Sequence, residues 1–205
     1  MKARWFLILS LGLVLCVAPA QALPLIEFNI GKFSGGVVTT PDNGTNIIAD
    51  DVPLEFLRVF LKPGLPQKYD LVETVLDFNT VTNSISVTGK VPSLGINGPT
   101  VLMLGTFTSF TVKYEPGVRL DLLNATGPDT KDPGLLMALG IDPKTQFNYF
   151  GISFNSIYSI EADTYYAIST SVKNEGKVSV PEPGILILLG ISMASIIGFK
   201  KWWKE

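Results

Sequence analysis

Histidine is absent from all 205 residues, and cysteine occurs once, as Cys16. Without histidine there is no Ser-His-Asp triad, no His general base and no His-ligated zinc. Cys16 lies inside an N-terminal apolar run, so the rest of the chain has no disulfide, thiolate metal site or Cys nucleophile. Charge is also scarce: 16 residues are basic and 18 acidic. Setting aside Lys2, Arg4, Lys200, Lys201 and Lys204 leaves 11 basic residues, and setting aside Glu182 and Glu205 leaves 16 acidic ones. A body near −5 lacks the basic footprint that nucleic acid requires. No repeat of about 20–50 residues is visible, which excludes solenoids and propellers.

Hydrophobicity is concentrated at the two ends. Lys2 and Arg4 precede an apolar run from Trp5 to Val17, and Ala20-Gln21-Ala22 follows. A short positive region, an apolar core and a small-x-small site make a secretory signal peptide, a processing segment rather than a fold element. Residues 1–22 are therefore expected to be removed by signal peptidase after Ala22, leaving Leu23 first. Cys16 has Leu15 before it, not the small residue of a lipidation site, and belongs to the signal core. Near the other end, Pro181-Glu182-Pro183 is followed by the uncharged stretch 184–199 and then Lys200-Lys201-Trp202-Trp203-Lys204. Sixteen helical residues reach about 24 Å, short of a roughly 30 Å hydrocarbon core. Interfacial tryptophans and cytoplasmic lysines extend that reach, so a transmembrane helix over 184–199 is expected.

Pro-Glu-Pro, an apolar segment and a basic cluster, in that order and together with a signal peptide, resemble the PEP-CTERM sorting signal of exported bacterial proteins. The resemblance covers 181–205 and the residue before it. The family usually has an Arg-rich end, whereas this tail is rich in Lys and Trp. The resemblance implies that a membrane-embedded exosortase reads the tail, with Pro181, Glu182 and Pro183 as the recognition motif. It also implies a link to exopolysaccharide and biofilm, and so a structural or adhesive role outside the cell. Such a hydrophobic tail belongs to the precursor, as in other removable C-terminal signals.

Between the ends, residues 23–172 read as one all-β domain and 173–180 as a polar linker. Phe150, Ile152, Phe154, Ser156 and Tyr158 alternate with Gly151, Ser153, Asn155 and Ile157, the period of a half-buried strand. After the turn Glu161-Ala162-Asp163, Tyr166, Ile168, Thr170 and Val172 form the predicted face of its hairpin partner. Val72, Thr74, Leu76 and Phe78 predict another face, with Ile85 and Val87 beyond a turn at 79–83. Segments 106–114 and 118–122 flank the turn signal Pro116-Gly117. Runs 26–33 and 54–61 are further strands. One helix is expected: Asp132 as N-cap, Pro133 at the first position, Gly140 as the stop, covering an open end of the domain. Strands bounded by Gly, Pro, Asn and Asp suggest a single β-sandwich or jelly roll, with a barrel as the other solution.

Three kinds of site are conceivable in this body. Calcium wants six to eight oxygens, and Asp42-Asn43, Asp50-Asp51, and Asn124 with Asp129 and Asp132 are expected to form oxygen-rich loops. Asp and Asn also favour turns for their own hydrogen bonds, and that reading is preferred, so no cofactor is expected. Tyr149, Tyr158, Tyr165 and Tyr166 could form the stacking surface of a carbohydrate-binding module. Two of Glu73, Asp77, Glu115, Asp121 and Glu161 could serve a secreted glycoside hydrolase. Aromatics on strands are usually core and charges on strands usually solvated, so a non-enzymatic surface protein is the expectation.

Overall fold

A computed structural model describes residues 24–30, 35–61 and 65–177, without the side chains of 148 and 175–177. The signal peptide, the sorting motif Pro181–Pro183 and the expected membrane segment 184–199 lie outside the described residues. Ten antiparallel strands form one sheet: β1 Leu25–Asn29, β2 Gly35–Thr39, β3 Ile48–Phe60, β4 Gln67–Asn79, β5 Ser84–Val91, β6 Ile96–Thr106, β7 Ser109–Glu115, β8 Arg119–Lys131, β9 Gln146–Ser159 and β10 Thr164–Lys177. An all-β body with one short helix, as the alternation predicts, is what these residues form.

The pairings run in a closed circuit. From β3 they pass through β4, β5 and β6 to β8, then through β9 to β10, and β10 returns to β3 by way of β1 and β2. β1 and β2 share one place between β10 and β3, since each pairs with both. Likewise β6 pairs with the end of β8 and β7 with its beginning. β1 and β2, and likewise β6 and β7, run in the same direction along one place in the sheet, and every other connection joins antiparallel neighbours, so the described strands contain no Greek-key crossover of the jelly-roll kind. Closure removes most of the exposed edge that an open sheet would present.

Inward-facing side chains fill the interior. Phe28, Phe150, Phe154, Leu57, Leu76, Leu120 and Leu122 have no meaningful exposure. Phe78 meets Phe154 edge-on at 5.0 Å, and Phe107 meets Phe150 at 5.5 Å, the tilt that aromatic quadrupoles prefer. Each such side chain contributes about 1.5–3 kcal/mol by burial.

The helix, α1 (Pro133–Ala138), forms where the sequence marks it. Asp132 Oδ2 accepts from Leu135 N–H at 2.7 Å. Gly140 adopts φ 71°, and Ile141 N–H reaches Leu136 O at 2.8 Å, closing the C-terminus. Leu135, Leu136, Leu139 and Ile141 all enter the core. The helix follows the end of β8 and precedes the start of β9. β1 starts and β10 finishes at that same end, since Leu25 pairs with Glu175 and Lys177 with Gln146. The opposite end carries the turns 80–83, 116–118 and 160–163 and the loop 40–47. There Gly44 lies against Tyr114: a Cβ would stand 2.3 Å from a ring carbon, and φ is 93°.

The structure departs from expectation at four points. Lys173–Lys177 is the last part of β10, not linker. Strand β6 was not marked by the alternation. In β10 the inward residues are Tyr165 and Ala167, then Thr170 and Val172, because a bulge between Ala167 and Ser169 shifts the phase. Tyr166 and Ile168 therefore point outward. Val72 is likewise exposed, because its strand is bulged between Val72 and Val75, where Glu73 takes φ 45°.

Candidate functional site

The residues expected to direct export, Ala20, Ala22, Leu23, Pro181–Pro183 and the tail from Lys200 to Lys204, lie outside the described residues. Among the described residues no helix is long and apolar enough to cross a membrane. The candidate sites within the body can each be placed.

The oxygen-rich positions do not converge. Asp42 spends both carboxylate oxygens on Asn46, accepting from its N–H at 2.7 Å and its Nδ2 at 2.6 Å. That is turn chemistry, and the Asn46 side-chain bond holds the Asp42 carboxyl below its ordinary value. Asp50 and Asp51 belong to strand β3, where Asp51 takes φ 54° in a bulge and donates its N–H to Asp77 Oδ1 at 2.8 Å. Burial raises the Asp77 carboxyl, and the neighbouring Asp51 and Asp50 add to the effect. Asn124, Asp129 and Asp132 do not share a loop: the first two lie in β8, Asn124 at a bulge and Asp129 inside the sheet, and Asp132 caps α1. No group of three potential metal ligands occurs among the described residues.

The tyrosines do not line up. Tyr165 is buried and packs at 5.2 Å from Tyr158 and 6.2 Å from Tyr114, closing the turn-bearing end. Its hydroxyl oxygen accepts from Gly117 N–H at 3.0 Å. Tyr149 and Tyr166 face outward, but Tyr149 pairs with Glu175 and Tyr166 with Ile157, some eight strand positions or ~27 Å apart. The carboxylates are mostly engaged. Glu73 pairs with Lys90. Glu115 accepts from Arg119 at 2.7 Å, which lowers its pKa, with Lys113 helping at 3.3 Å. Asp121 is buried and accepts from Ser156 N–H at 3.1 Å. Glu161 is exposed in a turn.

A different group of residues meets inside the sheet, near the α1 end. Asp129 and Lys131 are inward neighbours on β8, and Asn174 is inward on β10, with β9 between. The side chains of Asp129 and Lys131 are both 0% exposed, and Asn174 is fully buried. Lys131 Nζ bonds Asp129 Oδ2, and Asn174 Nδ2 donates to that same oxygen at 2.8 Å. The ring of Phe147 covers Lys131 Nζ at 4.8 Å from its centroid. Two acceptors, Asp129 Oδ1 and Asn174 Oδ1, are buried without a hydrogen-bond partner. Burial pushes Lys131 well below the ordinary lysine value, because the charged form loses its hydration.

Sequence reasoning missed this cluster. In the sequence nothing singles out Lys131, Asp129 reads as one of the loop oxygens, and Asn174 reads as linker. The usable signal was the alternation Ala125, Gly127, Asp129, Lys131, which carries the inward face of β8 onto two charged residues. No family model, curated protein or solved structure matches the chain.

Proposed function

We propose that the chain is an exported bacterial surface or extracellular-matrix protein with a structural or adhesive role, sorted by an exosortase through its C-terminal signal. The order Pro181-Glu182-Pro183, uncharged 184–199, Lys- and Trp-rich end carries this reading. In it, signal peptidase removes 1–22, the tail holds the precursor in the membrane, and the exosortase acts at or near the Pro-Glu-Pro motif. The body is a sandwich-like module whose work is to stand outside the cell, in contact with exopolysaccharide. Two features of the body agree with that role. Its strands form a closed sheet with a filled interior, and both its ends emerge beside α1.

The test is the mass of the protein from its native host, in cell-bound and released fractions. Under this reading the mature chain starts at Leu23 and ends near Pro181–Pro183, with or without an added anchor. Retention of 184–205 in the membrane fraction would instead make it an ordinary single-pass surface protein.

A further inference from the structure

We propose that Lys131 and Asn174 become joined by an intramolecular isopeptide bond, with Asp129 as the acid–base residue that moves the protons. The geometry supplies what that reaction needs. Both reactants bond a single oxygen, Asp129 Oδ2, so the amine and the carboxamide are held within one shared partner of each other. Such confinement turns an unfavourable encounter into an effectively unimolecular step. The nucleophile is a desolvated lysine, and burial is the usual means of making an amine available near neutral pH. Phe147 covers it on one side. A carboxyl group touching both nitrogen atoms is placed to act as base toward one and acid toward the other.

The two unpartnered oxygens fit the same scheme. Asp129 Oδ1 and Asn174 Oδ1 are both acceptors, each without a donor. A proton placed on Asp129 Oδ1 makes it a donor, and an O–H to Asn174 Oδ1 would complete a cyclic acid–amide pair. That contact polarises the carbonyl about to be attacked. A buried ion pair with unsatisfied acceptors is costly to keep for stability alone.

The atoms balance without an outside reagent. One proton passes from the Lys131 ammonium to Asp129. The amine lone pair attacks Asn174 Cγ, and an N–C bond forms. A second proton leaves the former lysine nitrogen and is relayed through Asp129 to Nδ2. The Cγ–Nδ2 bond breaks, and Nδ2 departs as ammonia, which takes the first proton from Asp129. Nothing is oxidised or reduced, and Asp129 ends as it began. The product ties β8 to β10 across β9, near the last residues of the body.

The test is a tryptic map of the denatured full chain, with its intact mass. The expected result is a mass lower by one ammonia and no cleavage after Lys131. A branched peptide should join residues 120–144 to residues 174–177. Recovery of the two peptides separately, with cleavage after Lys131, would overturn the proposal. So would an ammonia deficit mapped to a succinimide at Asn43-Gly44 or Asn97-Gly98. Lys131→Arg and Asn174→Ala should each abolish the branched peptide, and Asp129→Asn should abolish it while leaving both reactants in place. A branched peptide persisting in Asp129→Asn would overturn the part given to Asp129. Should a variant fail to fold, the map of the unsubstituted chain still decides.

Discussion

Gly127→Ala tests the closure of the sheet at its tightest point. Gly127 is buried on β8 where β6 gives way to β7. A Cβ there would lie 1.8 Å from Thr106 O, 2.9 Å from Thr106 C and 3.1 Å from Phe150 Cε1. Ordinary contact is about 3.5 Å, so backbone must move, not a flexible side-chain tip. The β6–β7 strand is not free to retreat, because Thr108 N–H donates to Thr126 O at 2.8 Å, one residue away. Overpacking of this kind costs about 1–3 kcal/mol. Losing or stretching the adjacent hydrogen bond adds about 1 kcal/mol. The expected loss is therefore about 2–4 kcal/mol, or about 2–4 °C of melting temperature per kcal/mol for a body of this size. Urea denaturation read by intrinsic fluorescence measures it, against Gly98→Ala as control. A Cβ on Gly98 meets nothing within 4 Å, and that variant should stay within about 0.5 kcal/mol of the parent. If Gly127→Ala unfolds at the same urea concentration as the control, the close approach of β8 to Thr106 is wrong.

Asp132→Ala should remove the α1 cap and lower stability by about 0.5–2 kcal/mol, with Asp132→Asn or Asp132→Ser recovering most of it in the same assay. Phe150→Ala should cost about 3–5 kcal/mol, since the ring is fully buried between Phe107 and Gly127. The burial-raised Asp77 carboxyl binds its proton more readily folded than unfolded. It therefore favours the folded state below the usual aspartate range, and that gain is lost as pH rises through the raised value. Asp77→Asn keeps an oxygen for Asp51 N–H, so it should stabilise the protein at pH 7 by less than about 1 kcal/mol and flatten the acid limb of a stability–pH curve.

What the sequence could show depended on whether a strand kept its period. In β5, Ile85 and Val87 alternate without interruption, and both are buried as predicted. The turn at 79–83 was visible too, because Asn79 Oδ1 accepts from Val81 N–H at 2.9 Å and Thr82 N–H at 3.2 Å, the local chemistry that makes Asn a turn residue. Where a bulge adds a residue, the faces exchange. Glu73, Asp51 and Asn124 sit at such bulges with positive φ, and none is a glycine to announce it. Hence Val72 reads from its period as inward, and Asp50-Asp51 reads as a loop. Strand β6 was missed because Asn97, Gly98 and Pro99 give its first half the look of a turn. Asn174 was missed for a related reason. A polar run of Lys, Asn, Glu and Gly reads as linker, and only the pairing of β10 with both β1 and β9 makes it strand.

That last strand is also where the two proposals meet, although their chemistry is independent. A tail beginning after Lys177 would transmit any pull along β10, shearing its ladders to β9 and β1 together. Each ladder hydrogen bond contributes only about 1 kcal/mol net, and the contacts nearest the tail are the first to feel the load. Asn174 lies three residues before the end of β10. A bond from it to Lys131 would divert the load onto β8, which is itself paired with β6, β7 and β9. Only the last few residues of β10 would then depend on hydrogen bonds alone. A cross-link between two earlier strands would leave β10 free to peel away. For a body held by its C-terminal strand, the position at which a covalent tie is most effective is the one where the lysine, the carboxylate and the asparagine are found together.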